Sequence, residues 1–148
     1  MRIMVVDDDS TTLAICKGLL EGEYEVDLMK SGLQALGFLM EQDESGLPDL
    51  ILLDMVMPGT SGMETLKSIR KNSTLAAIPV IFLDEGGDDR TELEGYRSGA
   101  DDFIKKPILP DLLRFKVKRQ LETRKLRRDY TALKKKINQI RLIVKGRI

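Results

Sequence analysis

Leu50-Ile51-Leu52-Leu53-Asp54-Met55-Val56-Met57-Pro58-Gly59 is the stretch whose reading decides the fold. An apolar run ends on a carboxylate and opens into a loop closed by Pro-Gly, which is the pattern of a buried strand. A carboxylate at the carboxyl end of such a strand stands where open α/β sheets bind ligands. Ile3-Met4-Val5-Val6 repeats the pattern and ends on Asp7-Asp8-Asp9. If the two strands are neighbours, four acids crowd one sheet edge, and like charges repel there unless a cation lies between them. Carboxylate oxygens with room for water suit Mg2+. The expectation is that Asp54 takes up a phosphoryl group beside a Mg2+ held by the acids near Asp7 and Asp8.

Outward from this stretch, strands and helices alternate. Residues 2–6 read as the first strand, and Asp9 or Ser10 caps a helix from Thr11 to Leu20 with Leu13, Cys16, Leu19 and Leu20 on one face. Gly22 ends that helix. Residues 24–29 alternate as a short strand, and Ser31 begins a second helix with Leu33, Leu36, Leu39 and Met40 as its stripe. Ser61 caps a third helix carrying Met63, Leu66 and Ile69. Pro79 introduces a strand at 80–83, an acid- and Gly-rich loop spans 84–89, and a fourth helix is centred on Leu93 and Tyr96 and ended by Gly99. Phe103-Ile104 is a fifth strand, followed by Lys105-Lys106-Pro107. This order implies βαβ units and a doubly wound, flavodoxin-like five-stranded parallel sheet of order 2-1-3-4-5. That order makes the strands before Asp7 and Asp54 neighbours.

From Leu112 the pattern becomes one long helix with neither Gly nor Pro until Gly146. Leu113, Val117 and Leu121 recur at four-residue spacing and are expected to face the domain. Leu126, Tyr130, Leu133, Ile137, Ile140 and Val144 then follow a heptad, with Tyr130, Ile137 and Val144 at a and the others at d. Branched residues at a with Leu at d favour a parallel two-stranded coiled coil. Across such a homodimer Glu122 meets Arg127 and Asp129 meets Lys134, both attractive, whereas Lys136 and Arg141 repel.

The formal net charge of zero hides an asymmetry. Residues 1–111 hold 10 basic and 22 acidic residues, a balance of −12, and residues 112–148 hold 14 and 2, a balance of +12. A basic tail on an acidic domain attracts acidic partners or stays a solvated helix face. The chain has no histidine, which argues against histidine-based catalysis and zinc sites within it. The single cysteine, Cys16, reads as a small core residue in a reducing compartment. No run of 18 apolar residues suggests a membrane span and no secretory signal layout is present, so a cytoplasmic protein is expected.

The motifs together resemble the bacterial response-regulator receiver domain, the CheY-like phosphoacceptor of two-component signalling. Val5-Val6-Asp7-Asp8, Leu52 to Gly59, Gly62, Gly99-Ala100-Asp101 and Lys106-Pro107 carry the resemblance, at the family's spacing, over roughly residues 1–120. The resemblance implies that Asp54 accepts a phosphoryl group from a sensor histidine kinase. Asp7, Asp8, Asp54 and the Val56 carbonyl would hold Mg2+, Lys106 would pair with the phosphoryl oxygens, and Lys106-Pro107 would be a cis peptide. It divides the chain into a receiver domain, 1–120, and a basic helical coiled-coil linker or dimerisation segment, 121–148, which in such proteins often continues into an output domain. It makes the chain a phosphoacceptor that catalyses at most its own phosphorylation and dephosphorylation. Two positions depart from the family's pattern. Asp84 and Glu85 stand where a Ser or Thr and a small residue are usual, and an ionised Asp can only accept hydrogen bonds. The aromatic switch position is Phe103, without a Tyr hydroxyl.

Three other readings compete. A pseudo-receiver could dimerise without phosphorylation, with Asp84 and Glu85 in place of the phosphoryl charge. Asp7-Asp8-Asp9-Ser10-Thr11 also satisfies the D-x-D-x-T pattern of haloacid-dehalogenase-like phosphatases, with Asp101-Asp102 as the late acid pair, but that reading leaves Asp54 without a role. The basic tail could contact DNA phosphates through Arg127-Arg128 and Lys134-Lys135-Lys136. With no helix-turn-helix in the chain, nucleic acid is not the expected partner.

Overall fold

The computed structural model describes residues 1–146, so the last two residues of the expected basic segment, Arg147 and Ile148, lie outside the described residues. Among the described residues five strands, β1 (Arg2–Val6), β2 (Glu25–Met29), β3 (Leu50–Asp54), β4 (Val80–Asp84) and β5 (Asp102–Lys105), alternate with five α-helices. These are α1 (Ser10–Leu20), α2 (Gly32–Glu41), α3 (Gly62–Lys71), α4 (Asp89–Arg97) and α5 (Pro110–Gly146). All strand pairs are parallel, in the order β2-β1-β3-β4-β5. The doubly wound sheet expected from the alternation is the sheet that forms.

Side chains on a strand alternate between faces, so the two sheet faces build two apolar layers. Met4, Val6, Ile51, Leu53 and Phe82 pack under α2 and α3. Ile3, Val5, Leu50, Leu52, Ile81 and Leu83 pack under α1 and α5. Strands β3 and β4 are buried along their whole length, which explains why they read as continuous apolar runs. The register pairs Val5 with Leu52 and Val6 with Leu53, so Asp7 and Asp54 emerge side by side at one edge. Cys16 is wholly buried, and burial pushes its thiol up to about 12, which suits a core filler better than a reactive group.

The helix faces depart from expectation in two places. In α2, Leu33 and Met40 are exposed, and the buried positions are Gly32, Ala35 and Leu39. The reason is the close approach of α2 to α3: a Cβ on Gly32 would collide with the Thr65 hydroxyl. Small residues define that face, and they carry little hydrophobic signal. In α4, Leu93 and Tyr96 are also exposed, and Gly95 is the buried residue, set against the Phe103 ring.

Helix α5 begins at Pro110, two residues before the expected start, because a proline at the first helical position loses no hydrogen bond. Leu113, Val117 and Leu121 are buried against the domain. The helix runs unbroken past residue 120, and Arg124 Nη1 still donates to the carbonyls of Pro48 and Asp49 at 3.1 and 2.9 Å. At 3.6 residues per turn the heptad seam lies about half a turn from this buried face, and Leu126, Tyr130, Leu133, Ile137, Ile140 and Val144 are all exposed. No helix among the described residues is long and apolar enough to cross a membrane.

The two faces of α5 predict different mutational costs. Leu113→Ala should lower the unfolding free energy by roughly 2–5 kcal/mol. Leu133→Ala, measured by urea unfolding at dilution that keeps the chain monomeric, should change it by no more than about 0.5 kcal/mol.

Candidate functional site

The site forms where β1, β3 and β5 end. Asp7 leaves β1 completely buried. The Asp9 N–H donates to its Oδ1 at 2.9 Å, and Lys106 Nζ lies 2.8 Å from its Oδ2. The contact is an ion pair that sets the ammonium directly against this buried carboxylate. Asp54, the last residue of β3, is 4 % exposed, and the Val56 N–H reaches its Oδ1 at 3.4 Å. Lys106 follows β5 and places its ammonium 3.5 Å from Asp54 Oδ1. The Lys106-Pro107 peptide is cis. Gly62 opens α3 directly against this strand end: a Cβ there would meet the Asp54 carbonyl oxygen.

The charges explain one another. Burial, and then the negative charge of Asp7, raise the Asp54 pKa to about 6 against the opposing pull of Lys106 and the Val56 N–H. Burial by itself would lower the Lys106 pKa, but the carboxylates of Asp7 and Asp54 more than reverse this, so the ammonium stays charged. One lysine therefore faces two buried carboxylates, and the exposed Asp8 adds a third.

One ligand oxygen each of Asp7, Asp8 and Asp54 lies within 4.8 Å of the others. This all-oxygen donor set fits a hard divalent cation, and the exposure of Asp8 leaves a water-accessible side of the kind Mg2+ requires. The fourth acid is elsewhere. Asp9 caps α1, accepting the Thr11 N–H at 3.0 Å and the Thr12 hydroxyl at 3.1 Å, so the crowd is three acids and not four.

Asp84 does not project at Lys106. Its carboxylate folds back onto the loop and accepts the N–H groups of Gly86 and Gly87 at 3.0–3.3 Å. Gly86 holds φ +110°, a left-handed value that favours glycine and turns those N–H groups inward. Glu85 is exposed, with Oε1 3.9 Å from Lys106 Nζ. Phe103 is buried between Phe82 and Tyr96, with ring centroids at 5.5 and 4.9 Å. Asp101 lies just before β5, at the opposite edge of the sheet, where it pairs with Arg70 at 3.0 Å and accepts the Val80 N–H. It therefore cannot join Asp7 in a phosphatase acid cluster. Sequence reading missed that Arg70 network, in which the guanidinium also donates to the carbonyls of Ala76, Ile78 and Gly99. No local pattern announces it, because its partners are backbone carbonyls and one carboxylate, Asp101, that the fold brings in.

Comparison with known proteins agrees with this geometry. Residues 3–118 match the family model described as the response regulator receiver domain. Over 118 residues the chain is 36% identical to the transcriptional regulatory protein ResD of Bacillus subtilis, covering 79% of this chain and 46% of ResD. It is 34% identical to the phosphate regulon transcriptional regulatory protein PhoB of Rhizobium meliloti, covering 84% and 53% of the two chains. The chain thus spans about half the length of these curated relatives. Among solved structures, a CheY-like response regulator receiver domain protein from Methanospirillum hungatei superposes with a TM-score of 0.77 at 27% identity, covering 85% of this chain and 97% of that one.

The raised Asp54 pKa carries a stability consequence whose sign is fixed. Between 3.8 and about 6 the folded chain holds a proton at Asp54 that the unfolded chain has lost, so stability falls as pH rises through that window. Above it, ionised Asp54 costs on the order of 2–3 kcal/mol. In EDTA, Asp54→Asn should therefore be more stable than the parent in urea unfolding near pH 7.5, with most of the gain gone near pH 4. An equal gain at both pH values would contradict the shift.

Proposed function

The chain belongs to the response regulator receiver domain family, and from that premise we propose that it accepts a phosphoryl group on Asp54 from a sensor histidine kinase and passes the signal through α5. The observation that supports this most strongly is the meeting of Asp54 with Asp7, Asp8 and Lys106, drawn from three different strand ends.

In the proposed reaction an ionised Asp54 oxygen attacks the phosphorus of a phosphohistidine. The new O–P bond forms as the P–N bond breaks, and the imidazole nitrogen leaves with the electron pair. Asp7, Asp8, Asp54 and the Val56 carbonyl would hold Mg2+, which when bound offsets charge on the phosphoryl oxygens. Lys106 follows the transferred charge, since its ammonium already lies between Asp7 and Asp54. The protein is then a phosphoacceptor and catalyses at most its own phosphorylation and dephosphorylation.

The readout differs from a hydroxyl-based switch. Asp84 is committed to Gly86 and Gly87, and its charge would be repelled by a phosphoryl group. We assign the change to Lys106, whose move from Asp7 toward the phosphoryl oxygens pulls on β5 and the start of α5. The heptad seam on the outer face of α5 then supplies the output surface, as a parallel homodimer. A pseudo-receiver remains the second reading, favoured by a carboxylate at position 84.

Intact mass after incubation with Mg2+ and acetyl phosphate separates the two. A working receiver shows a single phosphoryl adduct that Asp54→Asn lacks. An adduct that persists on Asp54→Asn would sink the assignment, and none on the parent, either from acetyl phosphate or from a phosphorylated kinase, would leave the pseudo-receiver. Lys106→Ala should still bind Mg2+ by calorimetry while losing any phosphorylation-dependent change in sedimentation.

A further inference from the structure

Helix α5 overhangs the end of the sheet opposite Asp54. Past Leu121 the same helix face stays toward the domain, but its chemistry changes. Arg124, Arg127, Arg128 and Lys135 take over the line held by Leu113, Val117 and Leu121. Between them and the segment joining α3 to β4 lies a cleft of about 500 Å³. Its far wall is small and apolar, formed by Ala76, Ala77 and Pro79, and Ala132 extends that surface from the helix. The volume is ordinary for a small-molecule site.

The cations here outnumber their partners. Arg70 is neutralised by Asp101 at 3.0 Å, and Arg128 lies 3.5 Å from Asp49. Arg124 uses Nη1 on two backbone carbonyls, while its Nε is buried with no hydrogen-bond partner. Arg127 and Lys135 line the cleft without an ion-pair partner among the described residues. Burial does most to lower the Arg124 pKa, and the charge of Arg128 adds to this against the pull of Asp49. This concentration stands against a domain whose first 111 residues carry a balance of −12.

We propose that the cleft binds a phosphate-bearing ligand of nucleotide size. Its phosphates lie on Arg124, Arg127 and Lys135, and its planar apolar part lies against Ala76, Pro79 and Ala132. Guanidinium groups match phosphate oxygens in a fixed fork, and the wall of small residues offers apolar contact to a ring. The ligand bridges α5 to the segment before β4, so it holds the overhanging helix at one angle to the domain. Binding at this edge does not require Asp54. The heptad seam lies on the other side of α5, so of the cleft's cations only Arg127, which would face Glu122 across the dimer, is shared between ligand and dimer.

A solvated basic helix or a diffuse polyanion attractor would have the same charge but no such walls, and the test separates these cases. The full chain is titrated into mant-ATP and, separately, fluorescein-labelled cyclic di-GMP, with fluorescence anisotropy as the readout. EDTA and about 150 mM NaCl are present, to silence the acid cluster and screen long-range attraction. Two variant pairs remove equal charge: Arg127→Ala with Lys135→Ala inside the cleft, and Lys134→Ala with Lys136→Ala on the same helix outside it. All four side chains are exposed, and circular dichroism checks the fold. The expected result is saturable binding of at least one probe, weakened about tenfold or more by the cleft pair and less than about twofold by the outer pair or by Asp54→Asn. Equal weakening by the two pairs would mean non-specific attraction and would overturn the site, and so would the absence of saturable binding by both probes.

Discussion

Everything at the acid edge depends on one charge balance. Two carboxylates with almost no exposure, Asp7 and Asp54, share a single ammonium from Lys106. A buried carboxylate pair is tolerated only when counter-charge, hydrogen bonds or a proton offsets the lost hydration. Lys106 supplies part of this, backbone N–H groups of Asp9 and Val56 supply more, and the raised pKa of Asp54 records what is left over. A site under-compensated in this way has negative charge left over for a divalent cation to offset, as the proposed function requires.

The same balance accounts for the loop chemistry around it. Asp84 would add a fourth negative group if it faced Lys106. It is instead spent on two glycine N–H groups, which satisfies a nearly buried carboxylate locally. Glu85 stays exposed near Lys106, at a distance where water screens it. The acid-rich loop after β4 therefore coexists with the acid cluster because its charges are directed to backbone groups or to solvent.

Helix α5 joins this edge to the rest of the molecule by carrying a different chemistry on each side. Its inner face is apolar from Leu113 to Leu121 and cationic from Arg124 to Lys135, while its outer face is an unpartnered apolar seam. An α-helix can serve two partners in this way because residues half a turn apart never compete for the same contact.

The alternation of strands and helices, the parallel order of the sheet and the convergence of Asp7, Asp8 and Asp54 were legible in the sequence. Each follows from a local signal: apolar runs of strand length, acids at their carboxyl ends, and the topology that alternating elements permit, whereas Lys106 was placed at the site only by the family resemblance. The heptad spacing likewise marked the outer face of α5. The tertiary structure alone decided which residues of α2 and α4 are buried, because Gly32 and Gly95 pack by close approach and not by hydrophobicity. It alone chose Asp9 over Ser10 as the cap of α1 and turned Asp84 toward its own loop, since a carboxylate's partner depends on which N–H groups the backbone brings near it. It alone assembled the cleft, whose cations and apolar wall lie more than 40 residues apart in the chain and meet only because α5 is long enough to cross the end of the sheet.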